Sequence, residues 1–121
     1  MPLFQPDRKS HKMQRMGMLI GVHADKIVEY KSLHADVWPD VLARLAQSHI
    51  ANYSIFLREP ENLLFACWDY HGDDFAADMA AIAADPATQR WWTLTDPCQK
   101  ALATRGSGEH WASMEQVFHM D

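Results

Sequence analysis

The chain has 121 residues, 48% of them hydrophobic and 22% charged, the size and balance of one globular domain. Eleven Lys and Arg against sixteen Asp and Glu leave a net charge of -5, which argues against nucleic acid as a partner. No apolar stretch reaches the roughly 18 residues of a membrane-spanning helix, and the N-terminus has no signal-peptide run, so the expected location is the cytoplasm.

Residues 1–12 mix Pro, charge and polar side chains without period. They read as an N-terminal extension, ahead of a single domain over residues 13–121. Arg15 to Val22 is a short apolar run with strand character. Residues 24–47 read as helix, because Ile27, Tyr30, His34, Val37, Trp38, Val41, Leu42 and Leu45 recur at steps of three and four. Pro39 interrupts it, as a kink or as the start of a new helical turn. Ala51 to Leu57 and Asn62 to Tyr70 read as a hairpin around Glu59-Pro60-Glu61-Asn62. Asp73 to Ala84 is Ala-rich and helical, and Asp85-Pro86 ends it. Helical turns follow over Gln89 to Leu94 and from Asp96-Pro97 through Leu102. Thr104 to Trp111 is a Gly-containing loop, and Met114 to His119 is the terminal strand.

The order is β-α-β-β-α-β. It predicts an α+β, ferredoxin-like sandwich whose antiparallel sheet carries both helices on one face. The opposite face then needs a cover. A second copy packing sheet to sheet supplies one, giving a homodimer, a dimeric α+β barrel, with a concave pocket in each half.

Five Trp in 121 residues exceed what a core of this size needs, and indoles carry one polar handle on an apolar body. Tyr30, His34 and Trp38 fall at i, i+4 and i+8, one ridge of a helix. Trp91 and Trp92 are adjacent, so on a helix they point about 100° apart, one into packing and one toward a cleft. Tyr53 in the hairpin is a third aromatic candidate. The seven histidines are otherwise scattered. His71 with Asp73 and Asp74 has ligand chemistry, but acidic residues at a strand-to-helix turn serve as caps, and no metal site is expected. Cys67 and Cys98 form no CxxC pair and read as reduced thiols. No nucleophile motif, phosphate loop or dinucleotide fingerprint occurs.

The blocks EYKSLHADVWPDVL (Glu29 to Leu42), NYSIFL (Asn52 to Leu57), ENLLFA (Glu61 to Ala66), QRWW (Gln89 to Trp92) and EQVFHM (Glu115 to Met120) resemble the L-rhamnose mutarotase family, in the family's order and over roughly residues 14–120. The resemblance implies a dimeric ferredoxin-like fold. It also implies interconversion of the α and β anomers of L-rhamnose without cofactor or metal. It places the family's catalytic histidine on His34 and its sugar-contacting positions on Tyr30, Tyr53, Trp91 and Trp92. The chain departs from the family at Ala35-Asp36, where Asn-Pro is common. It departs again at TDPCQ (Thr95 to Gln99) and at TRGSGEHW (Thr104 to Trp111). Loops beside a sugar pocket set which hydroxyls are read, so L-fucose, another 6-deoxyhexose, stands beside L-rhamnose as an expected substrate.

Mutarotation opens a cyclic hemiacetal and recloses it on the other carbonyl face. An imidazole, whose ordinary pKa is about 6.5, gives a proton and takes it back near neutral pH. Indole faces suit the C–H face of a pyranose, and an apolar slot suits the methyl of a 6-deoxy sugar. Two other readings keep the same fold. One is a small dimeric monooxygenase using the rings as an aromatic pocket; the other is a non-catalytic sugar-binding module.

Overall fold

The computed structural model describes residues 13–121, so the extension read over residues 1–12 lies outside the described residues. The chain begins with strand β1 (Gln14–Val22), followed by a 3-10 turn (Ala24–Lys26) and helices α1 (Ile27–Ala35) and α2 (Pro39–Gln47). The hairpin β2 (Ile50–Arg58) and β3 (Leu63–Tyr70) leads into α3 (Phe75–Ala84) and α4 (Pro86–Thr95). A 3-10 turn (Asp96–Cys98), a short strand β4 (Gln99–Lys100) and a last strand β5 (Ala112–Met114) complete the path.

The sheet is antiparallel throughout, in the order β2-β3-β1, with β4 and β5 both on the free edge of β1. Alternation then sorts the side chains. Met16, Met18, Ile20 and Val22 of β1, and Leu64, Trp68 and Tyr70 of β3, point to one face. Ile27 and Tyr30 of α1, Leu45 of α2 and Met79 and Ile82 of α3 pack on that face. Ile20 and Tyr70 are almost fully enclosed. Each large apolar side chain so buried contributes about 1.5–3 kcal/mol. The antiparallel sheet with its helices on one face is the α+β arrangement read from the sequence.

Three elements differ from that reading. The helical stretch over residues 24–47, read as interrupted at Pro39 by a kink or a new start, is two helices, so the new start is the outcome and the ridge is broken. Asp36 and Trp38 leave helical geometry, and Pro39 sits in the first turn of α2, where its missing N–H costs nothing. Trp38 therefore does not continue the ridge of Tyr30 and His34. The helical segment expected from Asp96 through Leu102 is a single 3-10 turn, after which Gln99 and Lys100 pair with β1. The terminal strand lies at Ala112–Met114 rather than Met114 to His119, and residues 115–121 have no regular structure. The other boundaries follow their local chemistry. Asp74 caps α3 by accepting from the Ala77 N–H, and Asp85 caps α4 by accepting from the Thr88 N–H.

Strand β2 carries a bulge that decides which residues face the helices. Its register on β3 slips between Ala51 and Ser54. Asn52 there has a φ of 53°, in the left-handed region that Asn tolerates. The extra residue exchanges the two faces, so Tyr53, Ile55 and Leu57 turn inward while Ser54 and Phe56 turn outward. Asn52 itself points away and donates to Asp69 Oδ2 at 2.8 Å.

The outward face carries an exposed apolar row beside a polar cluster of Arg15, Asn52 and Asp69. Leu19, Phe65 and Phe56 stand in one row across β1, β3 and β2, with Phe56 62% and Phe65 37% exposed. Val117, Phe118 and Met120 near the C-terminus are exposed as well.

Candidate active site

On the helix side, a cavity of about 360 Å³ opens between α1, α4, β2 and the segment joining β4 to β5. That volume is within the range of small-ligand sites. Tyr30, His34, Tyr53, Trp91 and Trp92 all line it. Each arrives by a different local device.

Tyr30 and His34 are one turn apart on α1, so their rings lie together, with centroids 4.2 Å apart. Tyr30 is buried. Burial pushes its phenol up to about 12. A hydrogen bond from Gln99 opposes that rise, and nearby Tyr53 and Asp96 add to it. The Tyr30 proton therefore stays on through the neutral range. His34 Nδ1 lies 2.9 Å from the Tyr30 carbonyl oxygen. Nδ1 must carry a proton to make that bond, which leaves Nε2 as the exchanging nitrogen.

The tryptophan pair divides as adjacent helical residues must. Trp91 is buried and Trp92 is partly exposed, yet both reach the cavity wall. Trp91 stands edge-on to His34 and also edge-on to Trp38 at 5.2 Å. Trp38 has thus left the α1 ridge but still backs the site through Trp91. Tyr53 reaches the cavity because of the bulge, and it stacks on Trp68 at 6.2 Å. Desolvation raises its phenol above the ordinary tyrosine value.

A more apolar lobe of about 450 Å³ adjoins the first, sharing His34, Tyr53, Ile55, Trp91 and Trp92 and adding Val37, Leu45, Ile50, Met79 and Ile82. The whole site is an aromatic cup lined by two imidazoles and two phenols, with an apolar extension beside them. Such a cup suits a small polyol with one hydrophobic face.

Six further lining residues were not named as site residues from the sequence: Ile55, Thr95, Asp96, Gln99, His110 and Trp111. Gln99 Nε2 donates to the Tyr30 hydroxyl at 3.2 Å. His110 Nε2 donates to Gln99 Oε1 at 2.7 Å and lies 3.7 Å from Asp96 Oδ1. All of the six but Ile55 fall in the two segments, Thr95 to Gln99 and Thr104 to Trp111, where the sequence departs from the family beside the pocket. Among the described residues no cluster of three or more His, Cys, Asp or Glu is placed to hold a metal ion, and His71, Asp73 and Asp74 form none. Asp74 is occupied as a helix cap.

The L-rhamnose mutarotase family profile matches residues 15–120. The chain is 31% identical to an L-rhamnose mutarotase of Oceanobacillus iheyensis over 109 residues, 90% of this chain and all of that one. It is 40% identical to an L-rhamnose mutarotase of Mesorhizobium japonicum over 76% of this chain and 83% of that one. It is 36% identical to an L-fucose mutarotase of Xanthomonas campestris over 88% of this chain and 87% of that one. The crystal structure of an L-rhamnose mutarotase from Formosa agariphila superposes with a TM-score of 0.70 at 23% identity, covering 89% of this chain and 99% of that one, which supports the fold. By profile and relatives together, the chain belongs to the L-rhamnose mutarotase family.

Proposed function

We propose that the protein is a sugar anomerase that interconverts the α and β forms of a 6-deoxyhexose, L-rhamnose or L-fucose, with His34 as the acid/base group. The observation that carries this is the setting of His34. Its Nδ1 is tied to the helix backbone, and the ring stands in a cup of Tyr30, Tyr53, Trp91 and Trp92. The phenols supply hydroxyl contacts, the indoles a platform for the C–H face, and the apolar lobe a seat for the C6 methyl. Family membership supports the reaction class. The relatives include both L-rhamnose and L-fucose mutarotases, which keeps both sugars in the proposal.

The active form in this reading is a homodimer. The row of Leu19, Phe65 and Phe56 is the sheet face that a second copy would bury. No helix is long and apolar enough to cross a membrane among the described residues.

Saturation-transfer NMR at the anomeric protons tests the activity. L-Rhamnose, L-fucose and D-glucose are run at equal concentration with and without protein. Faster exchange of a 6-deoxyhexose over D-glucose is the expected result. Binding of sugar with unchanged exchange would instead favour a non-catalytic binding module.

A further inference from the structure

We propose that His110 is a second proton-transfer residue, the base that works opposite His34; this rests on the anomerase reading above. Two imidazoles line the one cavity, His34 from α1 and His110 from the loop before β5. They are anchored alike. His34 Nδ1 donates to the Tyr30 carbonyl, and His110 Nε2 donates to Gln99 Oε1. In each ring the anchored nitrogen carries its proton, and the other nitrogen exchanges: Nε2 of His34 and Nδ1 of His110. Gln99 also donates to the Tyr30 hydroxyl. Tyr30 and Gln99 therefore bridge the two imidazoles along the cavity wall.

Anomer exchange needs two proton movements at two atoms. The His34 imidazolium protonates the ring oxygen as the C1–O5 bond breaks and its electron pair stays on O5. The neutral His110 takes the proton from the anomeric hydroxyl, whose O–H pair becomes the second bond of the C1 carbonyl. Rotation about C1–C2 presents the other carbonyl face. On closure O5 attacks C1 and returns its proton to His34, and the carbonyl oxygen regains a proton from His110. Both imidazoles end as they began, with no proton drawn from solvent. A single histidine would have to serve two oxygens on different sides of the anomeric carbon.

Asp96 from the 3-10 turn and Gln99 from β4 contact His110, and Tyr30 and His34 from α1 and Tyr53 from β2 line the same cavity. The Glu109 carboxylate beside it is engaged by the Gly106 N–H and the Ser113 hydroxyl. Both phenols hold their protons through the neutral range, so a two-limbed pH profile there reports the imidazoles.

The test is steady-state anomer exchange on L-rhamnose and L-fucose from pH 5 to 9, for wild type, His110→Asn, His110→Ala and Asp96→Asn. The wild-type kcat is expected to be bell-shaped. In His110→Asn, kcat is expected to fall about 10²-fold, with KM within about threefold and the acidic limb gone. Added imidazole is expected to restore part of the activity of His110→Ala, and Asp96→Asn is expected to keep both limbs. The side chain of His110 is about half exposed, so its loss should leave the melting temperature unchanged. Wild-type kcat and both limbs in His110→Asn would overturn the proposal. So would a rise in KM alone, a one-limbed wild-type profile, or loss of the acidic limb in Asp96→Asn. Wild-type protein that accelerates neither sugar would instead refute the anomerase reading itself.

Discussion

The Trp91 indole stands edge-on to the His34 imidazole, with centroids 5.5 Å apart and planes at 72°. Trp38 packs against Trp91 as well, with centroids 5.2 Å apart. The imidazole is therefore positioned twice, by the Tyr30 carbonyl through a hydrogen bond and by a packed indole through its edge. That arrangement separates the two adjacent tryptophans into different jobs.

Trp91→Ala is expected to cost about 3–5 kcal/mol of stability, the usual range for emptying a buried indole site. Anomer exchange should fall with it as His34 loses its support. Trp92→Ala, at a partly exposed position, should cost no more than about 1 kcal/mol. It should raise the sugar KM about tenfold, the equivalent of about 1.4 kcal/mol of lost stacking. Urea titrations beside exchange kinetics check the split. Equal stability losses in both variants would place both rings in the core.

The bulge at Asn52 gives a backbone prediction. Asn52→Gly should retain the left-handed turn and lose only the bond to Asp69. Asn52→Val should lose about 1–2 kcal/mol more, because a β-branched residue resists positive φ. A denaturation midpoint for Asn52→Val no lower than that for Asn52→Gly would contradict the assigned strain.

Stability should fall at both ends of the pH scale. Burial pushes the Tyr30 and Tyr70 phenols up to about 12, against about 10 in an unfolded chain. The folded state thus favours the neutral phenol. This stabilisation is complete below pH 10 and disappears as pH rises through about 12. Tyr30→Phe should flatten the alkaline fall. The Asp69 carboxylate is held below its ordinary range, chiefly by the Asn52 amide and also by Arg15. Its contribution is present above the ordinary carboxylate value and is lost as pH falls through the lower folded value. Asp69→Asn should make the acid limb shallower. Urea unfolding across pH 2–12 measures both slopes.

Phe65→Asp should convert a dimer to a monomer. Phe65 sits at the centre of the uncovered row, between Leu19 and Phe56. A carboxylate there would be buried without a partner in a sheet-to-sheet interface. Sedimentation at micromolar concentration should show one dimeric species for wild type and one monomeric species for the variant. A monomeric wild type would remove the dimer from the account.

The strands and the tryptophan pair were legible because period-two and period-four patterns act over a few neighbouring residues. Tyr30 and His34 were legible together for the same reason, being one turn apart. Pro39 marked the break between α1 and α2 but left open a kink or a new start, since the apolar period runs straight through Val37 and Trp38. The bulge left no periodic mark, because Asn52 reads as an ordinary polar residue until its φ is known. The terminal strand was misplaced because VFH has strand character. The edge of β1 is taken instead by Gln99–Lys100 and Ala112–Met114. Gln99 meets Tyr30, and His110 meets Gln99, only through the sheet topology, a non-local relation that no spacing in the chain announces.

Anomeric exchange NMR on His34→Asn tests whether His34 moves the proton. Asn keeps similar bulk and some hydrogen bonding but does not exchange a proton near neutral pH. A folded variant with wild-type melting behaviour and an exchange rate lower by about 10²–10⁴-fold is expected. A folded His34→Asn that exchanges L-rhamnose and L-fucose as fast as wild type would contradict that role of His34.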